Sequence, residues 1–532
     1  MSNNEVYLKN NVVAEPLFNQ WYAWSGLINP ATAALYIVNL HLKIMRSFVA
    51  APQVHISALK NAKMMGGPFI NYDASRASDV QALLEKTIRE QDSMLKLAEA
   101  VRNLEEMLTG EADGSSLEPL YERVPDVLKG FVELVYDLNN HPSVRFIEGL
   151  LYRSPYYQRQ SQSVSLSLME QDDRSFVFST PRLRDDDSLH LSIPFDDRRL
   201  DELFRMKHFP AALGQIKESL EIGEVDSELF SSFFTRECPP KADAYTGDGV
   251  RVRYFGHACV LIESKDTSIL CDPLISYGCD GEVARWTYND LPETIDYVLI
   301  THNHQDHCMF ETLLQLRHKI KHLVVPKNSG GSLSDPSMKL ILRNIGFRNV
   351  IEIDELETIE VEGGGITGMP FLGEHGDLNI RSKIAYFIKL RGTSILCAAD
   401  SNNIEPRMYD HIHEFTKDVD VLFLGMECDG APLSWVYGSL LLKPLARKLD
   451  QTRRLDGSDY EKGMSIVDRL HPKQVYVYAM GQEPWLTYVT SIQYTQESKP
   501  IIESDKLVME CKRRDLISER LFGRKEIFLT AH

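Results

Sequence analysis

The sequence predicts an α+β protein with two unlike domains: an N-terminal mixed α+β domain over residues 1–245 and a C-terminal metal-binding domain over residues 246–532. Three observations predict it. The run Thr301-His302-Asn303-His304-Gln305-Asp306-His307 follows directly on the apolar stretch Tyr297-Val298-Leu299-Ile300. Ahead of it, the hydrophobic period switches from helical to alternating and back again. Between the two, the Pro239-Pro240 pair and Gly247-Asp248-Gly249 punctuate the chain.

Residues 78–109 place apolar side chains at helical spacing among strong helix formers, so a helix is expected there, ended by Gly110 and the Gly-Ser-Ser run at 114–116. A second helical stretch is expected over about 117–138. From 162 to 194 the period becomes two. Val164, Leu166 and Leu168 alternate with Ser163, Ser165 and Ser167; Phe176-Val177-Phe178 is β-rich; and Leu189 to Ile193 alternates again. Two or three antiparallel strands follow from that pattern. Helical spacing returns over 197–206 and 211–220. This N-terminal domain carries no cluster of chemically active residues. Its simplest roles are homodimerisation, or covering the metal site and its substrate.

Hydrophobic residues make up 43% of the chain and charged residues 25%, as in ordinary globular proteins. No run approaches the ~18–20 apolar residues of a membrane span. The start, Met1-Ser2-Asn3-Asn4-Glu5-Val6, has neither the basic region nor the apolar core of a secretory leader. Eight cysteines without a CxxC pair fit reduced thiols in a cytoplasm. The net charge of −18 excludes the broad positive field of a nucleic-acid binder. Two segments are locally basic: Lys443, Arg447, Lys448, Arg453 and Arg454, and Lys512, Arg513, Arg514, Arg520, Arg524 and Lys525. They are either solvated surface or the docking patch for an acidic partner.

The histidine run is where chemistry concentrates. A short β-branched apolar strand feeding a polar loop presents alternate side chains on one face, so His302 and His304 can grip one metal ion. Asp306 and His307 fall where the chain turns and reach a second ion beside it. Histidine is 16 of 532 residues, so composition does not account for three within six positions beside an aspartate. Further along, Glu374 and His375 are neighbours in Phe371-Leu372-Gly373-Glu374-His375-Gly376-Asp377. In an extended strand they would point to opposite sides, leaving one of them as a ligand.

The H-x-H-x-D-H run resembles the signature of the metallo-β-lactamase superfamily. Val252 to Ile262 and Ser268-Ile269-Leu270-Cys271-Asp272-Pro273 look like that family's opening strands. Ser394-Ile395-Leu396-Cys397-Ala398-Ala399-Asp400 looks like the strand whose last aspartate bridges two metals. The resemblance runs from about Gly249 to the neighbourhood of Trp485. It implies an αββα sandwich, two sheets with helices outside and metals at one edge. Hydrolases of this superfamily supply two further histidines, and here the pattern departs. The late strand Gln474 to Tyr478 leads into Ala479-Met480-Gly481 with no histidine, and His471 precedes that strand as a turn residue. A missing imidazole and an added carboxylate favour iron over zinc, because hard oxygen donors stabilise ferric ion.

Those departures resemble the di-iron β-hydroxylases that act on amino acids tethered to nonribosomal peptide synthetases, in length and domain order over the whole chain. The resemblance implies His302, His304 and Glu374 on one iron, Asp306 and His307 on the other, and Asp400 as the bridge. It implies two iron ions, dioxygen as co-substrate, an external electron donor and its electron-transfer partner. The substrate would be an amino acid, aromatic in the reading of Trp435, Tyr437 and Trp485 as pocket residues and not as core packing, which explains them equally well, and held as a thioester on a carrier domain. Around the ligands, Asp272 is either an Asp-Pro turn or a partner for a ligand imidazole. Glu427 either faces the site or is a solvated strand-end carboxylate, and His257 is expected to be structural. The competing reading is a zinc- or manganese-dependent hydrolase of a thioester, lactone or phosphodiester, with His375 as ligand in place of Glu374.

Overall fold

The computed structural model describes residues 5–61 and 64–530. Residues 1–4, which contribute to the reading of a missing leader, lie outside them. The C-terminal domain is built on a facing pair of seven-stranded sheets. The first has the order Val350–Ile353, Ile320–Pro326, Ile295–Leu299, Ser268–Cys271, Cys259–Glu263, Val250–Gly256, Lys525–Leu529. The second runs Thr358–Val361, Gly364–Met369, Ala385–Leu390, Thr393–Cys397, Val421–Gly425, Gln474–Tyr478, Ile517–Arg520. Val252, Tyr254, Val260, Ile262 and Ile269 from one sheet meet Ile388, Ile395, Phe423 and Tyr476 from the other in the buried layer between them. Strands buried on both faces lose the clean alternation of a half-exposed sheet, which is why they read as short apolar runs.

Helices Arg407–Thr416, Tyr460–Leu470 and Lys499–Arg513 cover the outer face of the second sheet. The outer face of the first is covered mainly by the N-terminal domain. Phe255, Leu261, Leu270 and Val298 of that sheet belong to one continuous core with Val12, Ile37, Phe48, Leu97 and Phe204. The punctuation near residue 245 is therefore not a break in packing.

The N-terminal domain contains a four-stranded antiparallel sheet in the order Trp21–Tyr22, Val12–Phe18, Gln162–Leu168, Ser188–Leu191, with Val164 opposite Leu191 and Leu166 opposite Leu189. The expected helix over 78–109 is two helices, Ala77–Glu90 and Asp92–Glu111, meeting at Gln91. The second expected helix does not form. Residues 117–138 instead make the short 3₁₀ turns Glu118–Arg123 and Asp126–Leu128 and then the strand Val132–Tyr136. Pro119 and Pro125 lack the donors a continuing helix needs, and Gly130 takes φ +80° between the last turn and the strand. Phe176-Val177-Phe178 is not a strand either. It is a loop anchored by the Val177 amide on the Tyr488 carbonyl (2.9 Å), with Phe178 edge-on to Tyr22 and Trp24. Its apolar residues serve a cavity wall, a burial that a strand pattern mimics.

One helix is long and apolar enough on average to cross a membrane, although polar residues interrupt its apolar run. Residues Pro30–Ala50 form 21 continuous helical residues of mean hydropathy 1.2. More than half of that window is buried inside the protein, against Ala77–Glu90 and Asp92–Glu111, so its apolarity is that of a core helix. Within it, Ile37–His41 widens to a π-helix. Such widenings concentrate at functional sites.

Candidate metal centre

The strand Ile295–Leu299 ends in Ile300 and Thr301, and the loop after it is buried: His302 and His307 are fully inaccessible. Around this loop three groups of donor atoms lie within ion-holding distance: His302 with His304 and Glu374; His302 with His307 and Asp400; and His257 with Asp306 and His307. The six expected ligands thus converge on one place. His304 Nδ1 lies 2.5 Å from Glu374 Oε1, His302 Nε2 3.4 Å from Glu374 Oε2, and His307 Nε2 2.9 Å from Asp400 Oδ2.

The residues fit a pair of metal ions by their own accounting. His302 Nε2, His307 Nε2, Glu374 Oε2 and Asp400 Oδ1 are buried and have no hydrogen-bond partner. Buried polar atoms left unpaired in this way cost ~1–3 kcal/mol each, and four of them in one cluster call for cations. Three imidazoles with three carboxylates form an oxygen-rich set that suits iron. Electrostatics say the same. Burial and its histidine neighbours push His302 well below the usual imidazole range. Burial also pushes Glu374 up to about 7, against the pull of His304. His307 is held well above its ordinary range despite burial, by Asp400, Asp272 and Asp306.

The 371–377 segment is not extended, which corrects the expectation that Glu374 and His375 point apart. Gly373, Glu374, Gly376 and Asp377 all take positive φ, Glu374 at +66°, so the chain coils on itself. Both side chains then approach His304. His375 stacks on its ring (centroids 4.6 Å) while Glu374 meets its nitrogen. His375 belongs to none of the three donor groups; its Nδ1 sits 3.3 Å from the Gly373 carbonyl oxygen. A non-glycine residue in this region stores strain of order 1–3 kcal/mol, of the kind kept at working sites.

Asp272 is the partner and not merely a turn. Its Oδ2 lies 2.8 Å from His307 Nδ1, and it accepts hydrogen bonds from the Thr301 amide (2.8 Å) and hydroxyl (2.6 Å). Tyr437 plays the same role for His304, with its hydroxyl 3.0 Å from Nε2. That role escaped sequence reading, which left Tyr437 open between pocket lining and core packing. His257 is another such case: its Nε2 lies 3.1 Å from Asp306 Oδ2 and its ring 5.0 Å from that of His307. His257, in the left-handed region at φ +51°, lies in the turn Gly256-His257-Ala258 that joins two strands. Glu427 lines the same cavity as His304, Asp306, Glu374 and Asp400, where burial and then Asp400, Asp306 and Glu374 raise its carboxyl well above the usual range. His471 caps helix Tyr460–Leu470 and contacts Asp418, as a turn residue. Trp485 packs elsewhere, over Arg285. Because Asp272 fixes the tautomer and angle of His307, Asp272→Asn should weaken iron binding about 10- to 100-fold with the fold retained. Competition with a chelator followed by iron analysis measures this, and unchanged retention would make Asp272 a turn residue only.

A cavity of about 650 Å³ opens onto His304, Asp306, Glu374 and Asp400. Its other wall comes from the N-terminal domain: Trp21, Trp24, Tyr36, His41, Phe176 and Phe178. Trp435, 45% exposed, stands among the lining residues that reach the surface.

Comparison with known proteins agrees with this geometry. Residues 7–238 match the diiron non-heme beta-hydroxylase N-terminal domain, and residues 251–449 the beta-lactamase superfamily domain. The chain is 39% identical, over 98% of its length and 99% of the relative's, to the 4-amino-L-phenylalanyl-[CmlP-peptidyl-carrier-protein] 3-hydroxylase of Streptomyces venezuelae. The crystal structure of CmlA, a diiron beta-hydroxylase from Streptomyces venezuelae, superposes with a TM-score of 0.93 at 38% identity, covering 99% of this chain and all of that one. A mutant of CmlA superposes at 0.91. The hydrolase alternative, which needs His375 as ligand, loses both the geometry and the likeness. With its N-terminal domain, its metallo-β-lactamase-fold domain and its two-metal donor set, the chain belongs to the diiron non-haem β-hydroxylases, enzymes with two iron ions that use dioxygen.

Proposed function

We propose that this enzyme hydroxylates the β-carbon of an aromatic amino acid held as a thioester on a nonribosomal peptide synthetase carrier domain. In this reading His302, His304 and Glu374 would hold one iron, Asp306 and His307 the other, and Asp400 would be shared between them. The observation that carries the substrate reading is the cavity. Its wall of Trp21, Trp24, Tyr36, Phe176 and Phe178 faces the donor set across a volume in the range of small-molecule sites. Two irons bound there and reduced by an external donor would supply the activation of dioxygen that C–H hydroxylation demands, with one oxygen atom entering the product and the other leaving as water.

The chain's own residues supply position and shelter. Tyr437 holds His304 and Asp272 holds His307, which keeps both rings aimed at the metals. The N-terminal domain acts as the cover: its aromatic residues exclude water from the reacting carbon and contact the substrate side chain. The carrier docks on the segment 443–454. There Lys443, Arg447 and Lys448 are exposed and make no ion pair among the described residues, close in sequence to the cavity residues Arg454 and Trp435. In the other basic cluster Arg513, Arg514, Arg520 and Lys525 are already paired with Glu510, Asp468, Asp505 and Glu519. All eight cysteines are free, in keeping with a reducing cytoplasm.

Turnover with labelled dioxygen tests the reading. About two irons per chain are expected, with one labelled oxygen in the product. The carrier-bound amino acid should be used at least ~100-fold better than the free one, because the carrier contributes binding energy. Arg447→Glu with Lys448→Glu should erase most of that preference. About two zincs per chain, or equal use of the free amino acid, would defeat the proposal.

A further inference from the structure

The carboxylates that line the cavity can be accounted for one by one. Asp306 faces His257, Glu374 faces His304 and Asp400 faces His307, so those three belong to the donor set. Asp429 is paired with Arg454 at 3.1 Å. Glu427 is left: its side chain makes no hydrogen bond and no ion pair among the described residues, yet it lines the cavity beside the three donor carboxylates. Arg454, the guanidinium in the lining, is taken by Asp429 and Asp456. Among the described residues the cavity thus offers one uncommitted carboxylate and no uncommitted lysine or arginine.

The position of Glu427 is fixed by the backbone. The Gly425 amide, two residues earlier, donates to the Ala399 carbonyl (2.9 Å) next to Asp400. At Gly425 itself a Cβ would come within 2.6 Å of Asp400 Oδ1, so this strand end lies directly against the bridging carboxylate. Beyond it, the Glu427 carbonyl is held by the Gly457 amide at 2.8 Å. Glu427 therefore projects from a pinned turn at the edge of the donor set.

Resting on the reading of the substrate as an aminoacyl thioester, we infer that Glu427 receives the substrate's α-ammonium group and thereby sets which carbon faces the irons. A thioester-bound amino acid has lost its carboxylate, so the ammonium is the only charge left near the reacting centre. The amine nitrogen and the β-carbon are both bonded to Cα and lie about 2.5 Å apart. A carboxylate that fixes the nitrogen at the edge of the donor set fixes the β-carbon within one bond's swing of it. The aromatic wall across the cavity then takes the side chain, and the two contacts together leave one C–H bond turned to the metals. Glu427 is a substrate-positioning residue in this assignment and not an iron ligand.

The test uses the iron-loaded enzyme and a carrier charged either with the aminoacyl thioester or with its des-amino analogue, the arylpropionyl thioester. Wild type should favour the amino substrate by about 10- to 100-fold in kcat/KM, the range of a charge-assisted hydrogen bond. Glu427→Gln should reduce that preference to within about threefold, with most of the change in KM, while Glu427→Asp restores some of it. Binding of the two corresponding pantetheine amides, followed by tryptophan fluorescence without turnover, should lose the same discrimination. Two irons per chain should remain in Glu427→Gln. Loss of iron from that variant would make Glu427 a ligand and overturn the inference. Full preference retained by Glu427→Gln, with normal wild-type hydroxylation, would overturn it while leaving the functional reading intact. Failure of wild type on both carriers would overturn both.

Discussion

Asp400→Ala should empty both iron positions together and lower turnover by more than the ~10- to 100-fold typical of losing a residue that merely orients a ligand. Asp400 Oδ2 is 2.9 Å from His307 Nε2 and 3.8 Å from His302 Nε2, so it is the one carboxylate placed between the two halves of the donor set. Its other oxygen is buried with no partner. Removing it leaves two imidazole nitrogens facing an uncompensated hole. Glu374→Ala should behave differently, releasing the ion assigned to His302, His304 and Glu374 and leaving the other largely in place. His375→Ala should keep about two irons, since its ring packs on His304 without joining the set. Iron analysis of the three purified variants decides between them. Should His375→Ala empty the site while Glu374→Ala leaves it full, the carboxylate-rich assignment is wrong and imidazole-rich hydrolase chemistry returns.

The features of this molecule that could be read from sequence are those whose cause is local. The ligand loop was legible because alternate residues after a short apolar strand must share a face, and His302 and His304 do converge. Strands such as Val421–Gly425 and Gln474–Tyr478 were legible because their apolar runs are short and end at turns. What failed was set by distant neighbours. Phe176-Val177-Phe178 has a strand's composition, but the Tyr488 carbonyl and the rings of Tyr22 and Trp24 hold it as a loop. Residues 117–138 have helical spacing, and only the weight given to Pro119, Pro125 and Gly130 could have stopped a helix being drawn there. Tyr437 and His257 lie 133 and about 50 residues from His304 and Asp306, which they touch, and no spacing rule links them. The positive φ of Glu374 was signalled by Gly373 and Gly376 on either side. Glycines that close together argue for a coil, and weighing them would have withdrawn the assumption that Glu374 and His375 point apart.

Arg174→Met should destabilise the protein by about 3–5 kcal/mol, the cost of stranding buried charges by removing their partner. Arg174 joins the two domains of the molecule. Its guanidinium makes a two-pronged pair with Glu311 (2.8 and 2.8 Å) at the start of the helix after the ligand loop. It also donates to Glu15 (2.6 Å) in the strand Val12–Phe18. Its plane stacks 3.7 Å over Tyr488, and Tyr22 and Tyr277 complete the shell by donating to Glu311. Arg182 holds the other side of Glu15, at 2.5 Å. Burial alone would raise the Glu15 carboxyl, but Arg182 and Arg174 outweigh it and hold it at about 2, below its ordinary 4.5. A folded value below the unfolded one means that Glu15 contributes stability fully above about pH 4.5 and loses it as pH falls towards 2. Wild type should therefore lose stability steeply across that acid window, and Glu15→Gln should start lower and fall less. Phe176 lies two residues from Arg174 and lines the cavity, so Arg174→Met should also cut kcat/KM while iron content holds. Denaturant melts of the variants at pH 7 and pH 4 check both signs. A melt within about 0.5 kcal/mol of wild type at pH 7 would reduce the network to a solvated surface pair.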